Sequence, residues 1–193
     1  MSREHVEILR WTPIVLPPLS ERAGQRRTLD EHLYVRSPAF YRRLAVALMW
    51  LPRSRLRRWI VARFLRRAYA AANRRDFDLV LVGLGAEAEY EYRPSPDLIA
   101  PDQDPVFHGH DGYLRMWGTW LDAFEDLRFE PEELLDLGDR LLVTAEVHGH
   151  GSGSGVAVSE RVFQLFELRG GLVMKQEDFV DHSKALEAAG LKE

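Results

Sequence analysis

The sequence predicts an α+β fold: a cone-shaped, curved sheet of mixed or antiparallel strands wrapped by helices, with an extra helical extension at the N-terminus. Three observations carry this. Between residues 37 and 75 apolar residues recur at helical spacing, whereas from residue 127 onward they alternate with a period of two. Short connections rich in Gly and Asp separate the later segments, as hairpins require. Helices first and a meander of long strands after places the helices on one face of a sheet.

The elements follow in order. Residues 1–36 read as an arm without regular structure, because of Pro13, Pro17, Pro18 and the charged stretch Ser20 to Asp30. Its apolar content (Val6, Ile8, Leu9, Trp11, Ile14, Leu16) requires it to lie on something. Ser37-Pro38 starts a helix with a capping hydroxyl and Pro at the first helical position. Its stripe is Phe40, Tyr41, Leu44, Ala45, Leu48 and Leu51, and Pro52 ends it. A second helix runs from about Arg53 to Arg75. Its apolar stripe is Leu56, Trp59, Ile60, Phe64, Leu65, Ala68, Tyr69 and Ala72, and its other face is arginine, Arg57 among them. Asp76 caps a short helix over 79–84, and 87–92 alternates as a strand. Four prolines make 93–106 a loop. Gly109 opens a helix carrying Leu114, Trp117, Leu121 and Phe124. Four strands follow over 127–135, 141–148, 156–168 and 172–180, then a last helix over 183–189 closed by Gly190. The division is an N-terminal extension, 1–58, and a sheet domain, 59–193.

Composition excludes several chemistries. The 193 residues are 46% apolar and 29% charged, an ordinary globular balance, long enough to bury a core without staples. The chain has no cysteine, so disulfides, thiolate nucleophiles, thiolate zinc sites and iron–sulfur clusters are ruled out. The longest strongly apolar run, Leu44 to Leu51, is far short of the ~20 residues of a spanning helix. The proline-broken segment 11–19 lacks the form of a secretory signal, so a cytoplasmic location is expected. The net charge of −4 hides a split. Residues 1–75 hold 17 Arg and no Lys against five acids, and residues 76–193 hold nine bases against 25 acids. Neutralisation of the Arg-rich helices inside the fold or across a dimer is the favoured reading. Contact with an anionic membrane or other anionic partner is the alternative, and no specific nucleic-acid partner is expected.

The chain resembles the SnoaL-like branch of the nuclear transport factor 2-like superfamily over about residues 60–191. The residues that carry this are Ala70 to Asp78, Phe107-His108-Gly109-His110-Asp111-Gly112, Gly138-Asp139, Gly149 to Gly155, Leu168-Arg169-Gly170-Gly171, Phe179-Val180-Asp181-His182 and Ala185 to Leu191. The resemblance implies the cone fold, a pocket within the cone for a small, largely apolar molecule, and a homodimer through the outer sheet face. It implies no single activity: isomerases, cyclases, dehydratases, hydrolases and binding proteins without chemistry share the fold. At the positions that carry the catalytic set of limonene epoxide hydrolases, only Tyr90 and Asp178 keep their residue type, and an Arg–Asp pair is replaced by Glu146 and His148, which argues against epoxide hydrolysis.

Alternation assigns the candidate residues. Leu142, Thr144, Glu146 and His148 share one face of their strand, and Met174, Gln176, Asp178 and Val180 share one face of theirs. If these faces meet, His148 is a base oriented by Asp178 or Glu146, and Tyr90 or Tyr92 donates to a developing oxyanion. A register shift of one residue would instead turn Glu146 and His148 to water. Tyr69, Phe107, Trp117, Trp120, Gln164, Phe166 and Gln176 are the expected pocket wall. His108–His110 and His148–His150 have a spacing that metal sites use, but no third ligand accompanies them, so no metal is assigned. The glycine loop 149–155 has no following Lys-Ser or helix start, so it is no phosphate cradle, and no cofactor is implied.

Overall fold

The computed structural model describes residues 13–19, 26–52, 54–99 and 105–191. In chain order the elements are β1 (Ile14–Val15), α1 (Leu29–Arg36), α2 (Pro38–Trp50), α3 (Arg55–Asn73), α4 (Phe77–Val82), β2 (Glu91–Arg93), β3 (Phe107–His108), α5 (Gly109–Ala123), β4 (Phe124–Asp136), β5 (Arg140–Gly151), β6 (Ala157–Arg169), β7 (Leu172–Phe179) and α6 (His182–Ala188). All seven strands form one mixed sheet in the order β1-β4-β5-β6-β7-β2-β3, antiparallel except where β2 runs parallel to β7. The α+β cone fold is therefore present, with helices wrapped around a curled sheet. Register shifts in β4, between Glu125 and Arg128 and between Pro131 and Glu133, curl it. Pro131, which has no N–H to give, falls within the second of these.

Helix starts follow their caps. Ser54 Oγ accepts from the Arg57 N–H, Asp76 from the Leu79 N–H, and Asp181 from the Ser183 and Lys184 N–H groups. α3 thus begins at Arg55; the expected start at Arg53 lies outside the described residues. The expected boundary between residues 58 and 59 falls inside α3.

Several expectations need correction. The segment read as an unstructured arm contains β1, which pairs with β4, and α1. Thr28 and Glu31 form a capping box at α1, with Asp30 and Glu31 in the first turn and Arg36 in the last, so Asp30, at the end of the charged stretch read as irregular, is a helix-end charge. Residues 1–12 and 20–25 of that arm lie outside the described residues. The strand expected over 87–92 is shorter and later, Glu91–Arg93, and Phe107–His108 adds an unforeseen strand beside it. On α5 the buried face is Tyr113, Met116, Trp117 and Trp120 rather than the stripe through Leu114 and Leu121.

α3 departs most. Its buried residues are Arg57, Val61, Ala62, Leu65, Tyr69, Ala71 and Ala72, while Leu56 and Trp59, expected in the core stripe, are exposed. Arg57, expected on the polar face, is only 3% exposed. It forms a two-pronged ion pair with Asp136 at 3.0 and 3.2 Å and donates to the carbonyls of Met49, Leu51 and Gly138. One guanidinium therefore joins the end of α2, the start of α3 and the β4–β5 hairpin. Other arginines are also neutralised internally: Arg67 by Asp30, Arg74 by Glu31 and Asp76, and Arg27 by Asp76 and Asp78.

The main core fills the cone between the sheet and helices α1 and α3–α5. A second, smaller core lies on the opposite sheet face, where α6 covers Leu142, Phe163 and Leu165 with Ala185 and Ala189.

Candidate active site

The inner face of the cone is set by register. Val143 on β5 stands opposite Gln164 on β6, Gln164 opposite Asp178 on β7, and Gln176 beside Tyr92 on β2. Side chains at these paired positions share a sheet face. Three neighbouring strands thus bring Gln164, Gln176, Asp178 and Tyr92 together, and Tyr69 reaches them from α3.

They surround a cavity of about 180 Å³ whose wall is mostly apolar. Met116, Trp117 and Trp120 of α5 close one side with Phe129, and Phe166 and Val173 close the sheet side. Tyr41, Ala45, Leu48 and Met49 of α2 complete the wall, so the N-terminal extension is part of the pocket. Position 171 holds α2 in place. A Cβ at Gly171 would lie 2.5 Å from the Ala45 carbonyl oxygen and 2.8 Å from the Ala45 Cβ, and its φ of +77° is one that glycine adopts freely.

Asp178, 3% exposed, is the carboxylate in this wall. Tyr92 donates its hydroxyl to Asp178 Oδ2 at 2.7 Å, and the Nε2 amides of Gln164 and Gln176 each donate to Oδ1 at 3.0 Å. Behind these, Tyr69 donates to the Gln164 carbonyl oxygen and Tyr90 to that of Gln176 at 3.5 Å. A carboxylate has about four acceptor sites, and the three donors leave one on Oδ2. Burial pushes the Asp178 carboxyl up to about 6 from its ordinary value, against the pull of the three hydrogen bonds. Burial also raises the Tyr69, Tyr90 and Tyr92 phenols well above their ordinary range, so they act as neutral donors. A further donor, the Trp117 indole N–H, is buried in the same wall beside the Tyr113 hydroxyl.

The structure does not bring His148 or Glu146 to this site. β5 turns Val143, Ala145 and Val147 inward, so His148 and Glu146 lie on the outer sheet face, half-exposed, 3.6 Å from each other. Glu146 accepts from Ser159 there. The pairing of His148 with Asp178 therefore fails on register: even positions face outward on β5 and inward on β7. Tyr90 and Phe107 are buried behind the site, the Phe107 ring packed at a tilt against Tyr92 rather than facing the cavity. Of the paired histidines, His110 Nε2 lies 2.8 Å from the Gly85 carbonyl and His150 pairs with Asp126. Among the described residues no helix is long and apolar enough to cross a membrane.

Sequence reasoning missed Tyr113, Met116 and Phe129, and the contribution of α2. The i, i+3, i+4 spacing of Tyr113, Met116, Trp117 and Trp120 was available for the first two. Nothing in the sequence shows that α2 folds over the cone mouth.

Comparison with known proteins agrees with this geometry. No curated protein matches the chain. Among solved structures it is similar to TerC co-crystallised with polyporic acid, at 21% identity, covering 62% of this chain and 90% of that one with a TM-score of 0.53. It is also similar to an NTF2-like protein of unknown function from Burkholderia pseudomallei K96243, at 19% identity, 65% and 93% coverage and a TM-score of 0.55. A protein from Jannaschia sp. CCS1 assigned as a SnoaL-like polyketide cyclase is 19% identical, with 74% and 99% coverage and a TM-score of 0.51. At these identities the likeness is one of fold. The model of the SnoaL-like domain matches residues 65–176, more than half of the chain, and with the cone, the cavity and the strand order in hand, the chain belongs to the SnoaL-like family.

Proposed function

We propose that the cavity binds a small, largely apolar molecule and that Asp178 moves a proton on it, in an isomerase- or cyclase-type reaction. The observation that carries this is a buried carboxylate, with one acceptor site open, in an apolar wall. With its carboxyl pushed up to about 6, Asp178 is largely ionised at neutral pH yet basic enough to take a proton. The Oδ2 oxygen accepts it from a C–H beside a carbonyl, and the electron pair of that bond moves onto the carbonyl oxygen. The Trp117 indole N–H in the same wall is the donor we assign to that oxygen. Return of the proton to a different carbon is an isomerisation; attack of the enolate carbon on a second carbonyl, whose oxygen then takes the proton back from Asp178, is a cyclisation. TerC, co-crystallised with polyporic acid, supports a small-molecule occupant for a cone of this kind.

The second reading is a binding module without chemistry, favoured by the fact that three donors already hold Asp178. Solvent-deuterium exchange distinguishes the two. A panel of β-diketones and hydroxyquinones is incubated with the protein in heavy water and followed by NMR. Wild type accelerates exchange of at least one compound, and Asp178→Asn loses that acceleration by about a hundredfold or more. A compound that binds yet exchanges equally with both proteins supports the non-catalytic module.

A further inference from the structure

We propose that the outward faces of α2 and the first turns of α3 form a docking surface for an anionic lipid bilayer. Residues 37–75 contain eleven arginines and no acidic residue. The internal ion pairs described above use Arg57, Arg67 and Arg74. Arg42, Arg43, Arg55 and Arg63 are exposed and have no ion pair among the described residues. Between them stand the large apolar side chains that the core does not take. Trp50 is 83% exposed, Trp59 61% and Leu56 60%, and Val46, one turn before Trp50 on α2, is 41% exposed. Arg63 lies over the Trp59 ring, its guanidinium carbon 5.8 Å from the centroid.

Both helices have already spent their other faces. α2 turns Tyr41, Ala45, Leu48 and Met49 into the cavity, and α3 turns Arg57, Val61, Phe64 and Leu65 the same way. Leu56, Trp59 and Arg63 follow at i, i+3 and i+7, one stripe of α3; Arg42, Val46 and Trp50 form one stripe of α2. Each stripe mixes arginine with tryptophan and an aliphatic residue.

That chemistry selects the partner. Tryptophan settles at the headgroup level of a bilayer, arginine pairs with lipid phosphate, and an apolar face flanked by cations lies in the interface plane. A second copy of the same surface would set these arginines against one another, since α2 and α3 carry no acid. A nucleic-acid backbone would satisfy the arginines and leave Leu56 and Val46 in water. Docking would bring the helices that wall the cavity to the phase where apolar molecules concentrate, although the docking surface stands independently of what the cavity binds.

The test is flotation of the full chain with vesicles of phosphatidylcholine alone and with phosphatidylserine added. Binding is expected to the anionic vesicles only, and to fall with salt. Arg42→Glu/Arg43→Glu should lower the partition coefficient by about fivefold or more for each charge removed. Trp50→Ala/Trp59→Ala should lower it about tenfold or more. All four positions are exposed, so thermal unfolding of both variants should match wild type, and tryptophan fluorescence of wild type should shift to the blue on anionic vesicles. Absence of binding at every salt concentration would overturn the proposal, as would equal binding to neutral vesicles. Loss of vesicle binding to a competing single-stranded homopolymer, unaffected by the two tryptophan substitutions, would assign the surface to nucleic acid instead.

Discussion

Asp178 shows how far single residues could be read from the sequence. Alternation along β7 puts Gln176 and Asp178 on one side, and the structure makes that side the inner one. The same alternation rule failed for His148 because parity is relative. Nothing in one strand says which of its faces is inward, and on β5 both Leu141 and Leu142 are buried, one in each core. Two predictions belong here. A carboxyl raised from 3.8 to about 6 in the fold favours folding when protonated; its ionisation above pH 6 opposes folding by about 3 kcal/mol. Stability contributed by this group therefore rises as pH falls from 7 to 4. Urea unfolding of wild type and Asp178→Asn should show the variant's relative stability falling by up to ~3 kcal/mol over that interval. Tyr92→Phe removes a hydrogen bond that pulls the carboxyl down, so it should move the Asp178 titration to higher pH.

Among the elements, α2 and α3 depart furthest from what periodicity alone gives. Spacing finds both helices, but the face that α3 buries is decided by Arg57, which reaches Asp136 and three carbonyls. A guanidinium so placed rotates Leu56 and Trp59 outward. Arg57→Ala should destabilise by about 3–5 kcal/mol in urea unfolding, because the buried Asp136 carboxylate then loses its paired cation and keeps the Gly138 N–H. Arg57→Lys should recover only part of this, since an ammonium cannot reproduce the two-pronged contact. At the other end of the cavity, Gly171→Ala drives a methyl into the α2 backbone at Ala45. It should destabilise by about 1–3 kcal/mol and increase hydrogen exchange across 38–50 more than across 55–73. Equal exchange in both helices would show that α2 does not rest on the β6–β7 hairpin.

For the whole molecule, the cone was legible in the order of the elements: helices, a period change, three hairpins and a final short helix. The small strands escaped because two or three residues carry no period, and the chain path that lays residues 14–15 against β4 is a matter of tertiary contact. The charge split resolves into two parts, arginines joined to acids across the fold and arginines left on one surface. The outer sheet face carries Glu146, His148, Ser159 and Arg161. What makes the molecule a candidate catalyst is the state of one carboxyl in its cavity. Carboxyl-carbon NMR across a pH titration of the full chain reads it directly. One carboxyl should titrate near pH 6, be absent from Asp178→Asn, and move when a β-diketone occupies the cavity. Titration of every carboxyl at the ordinary value, with no signal lost in Asp178→Asn above it, would remove Asp178 as the proton-transfer group.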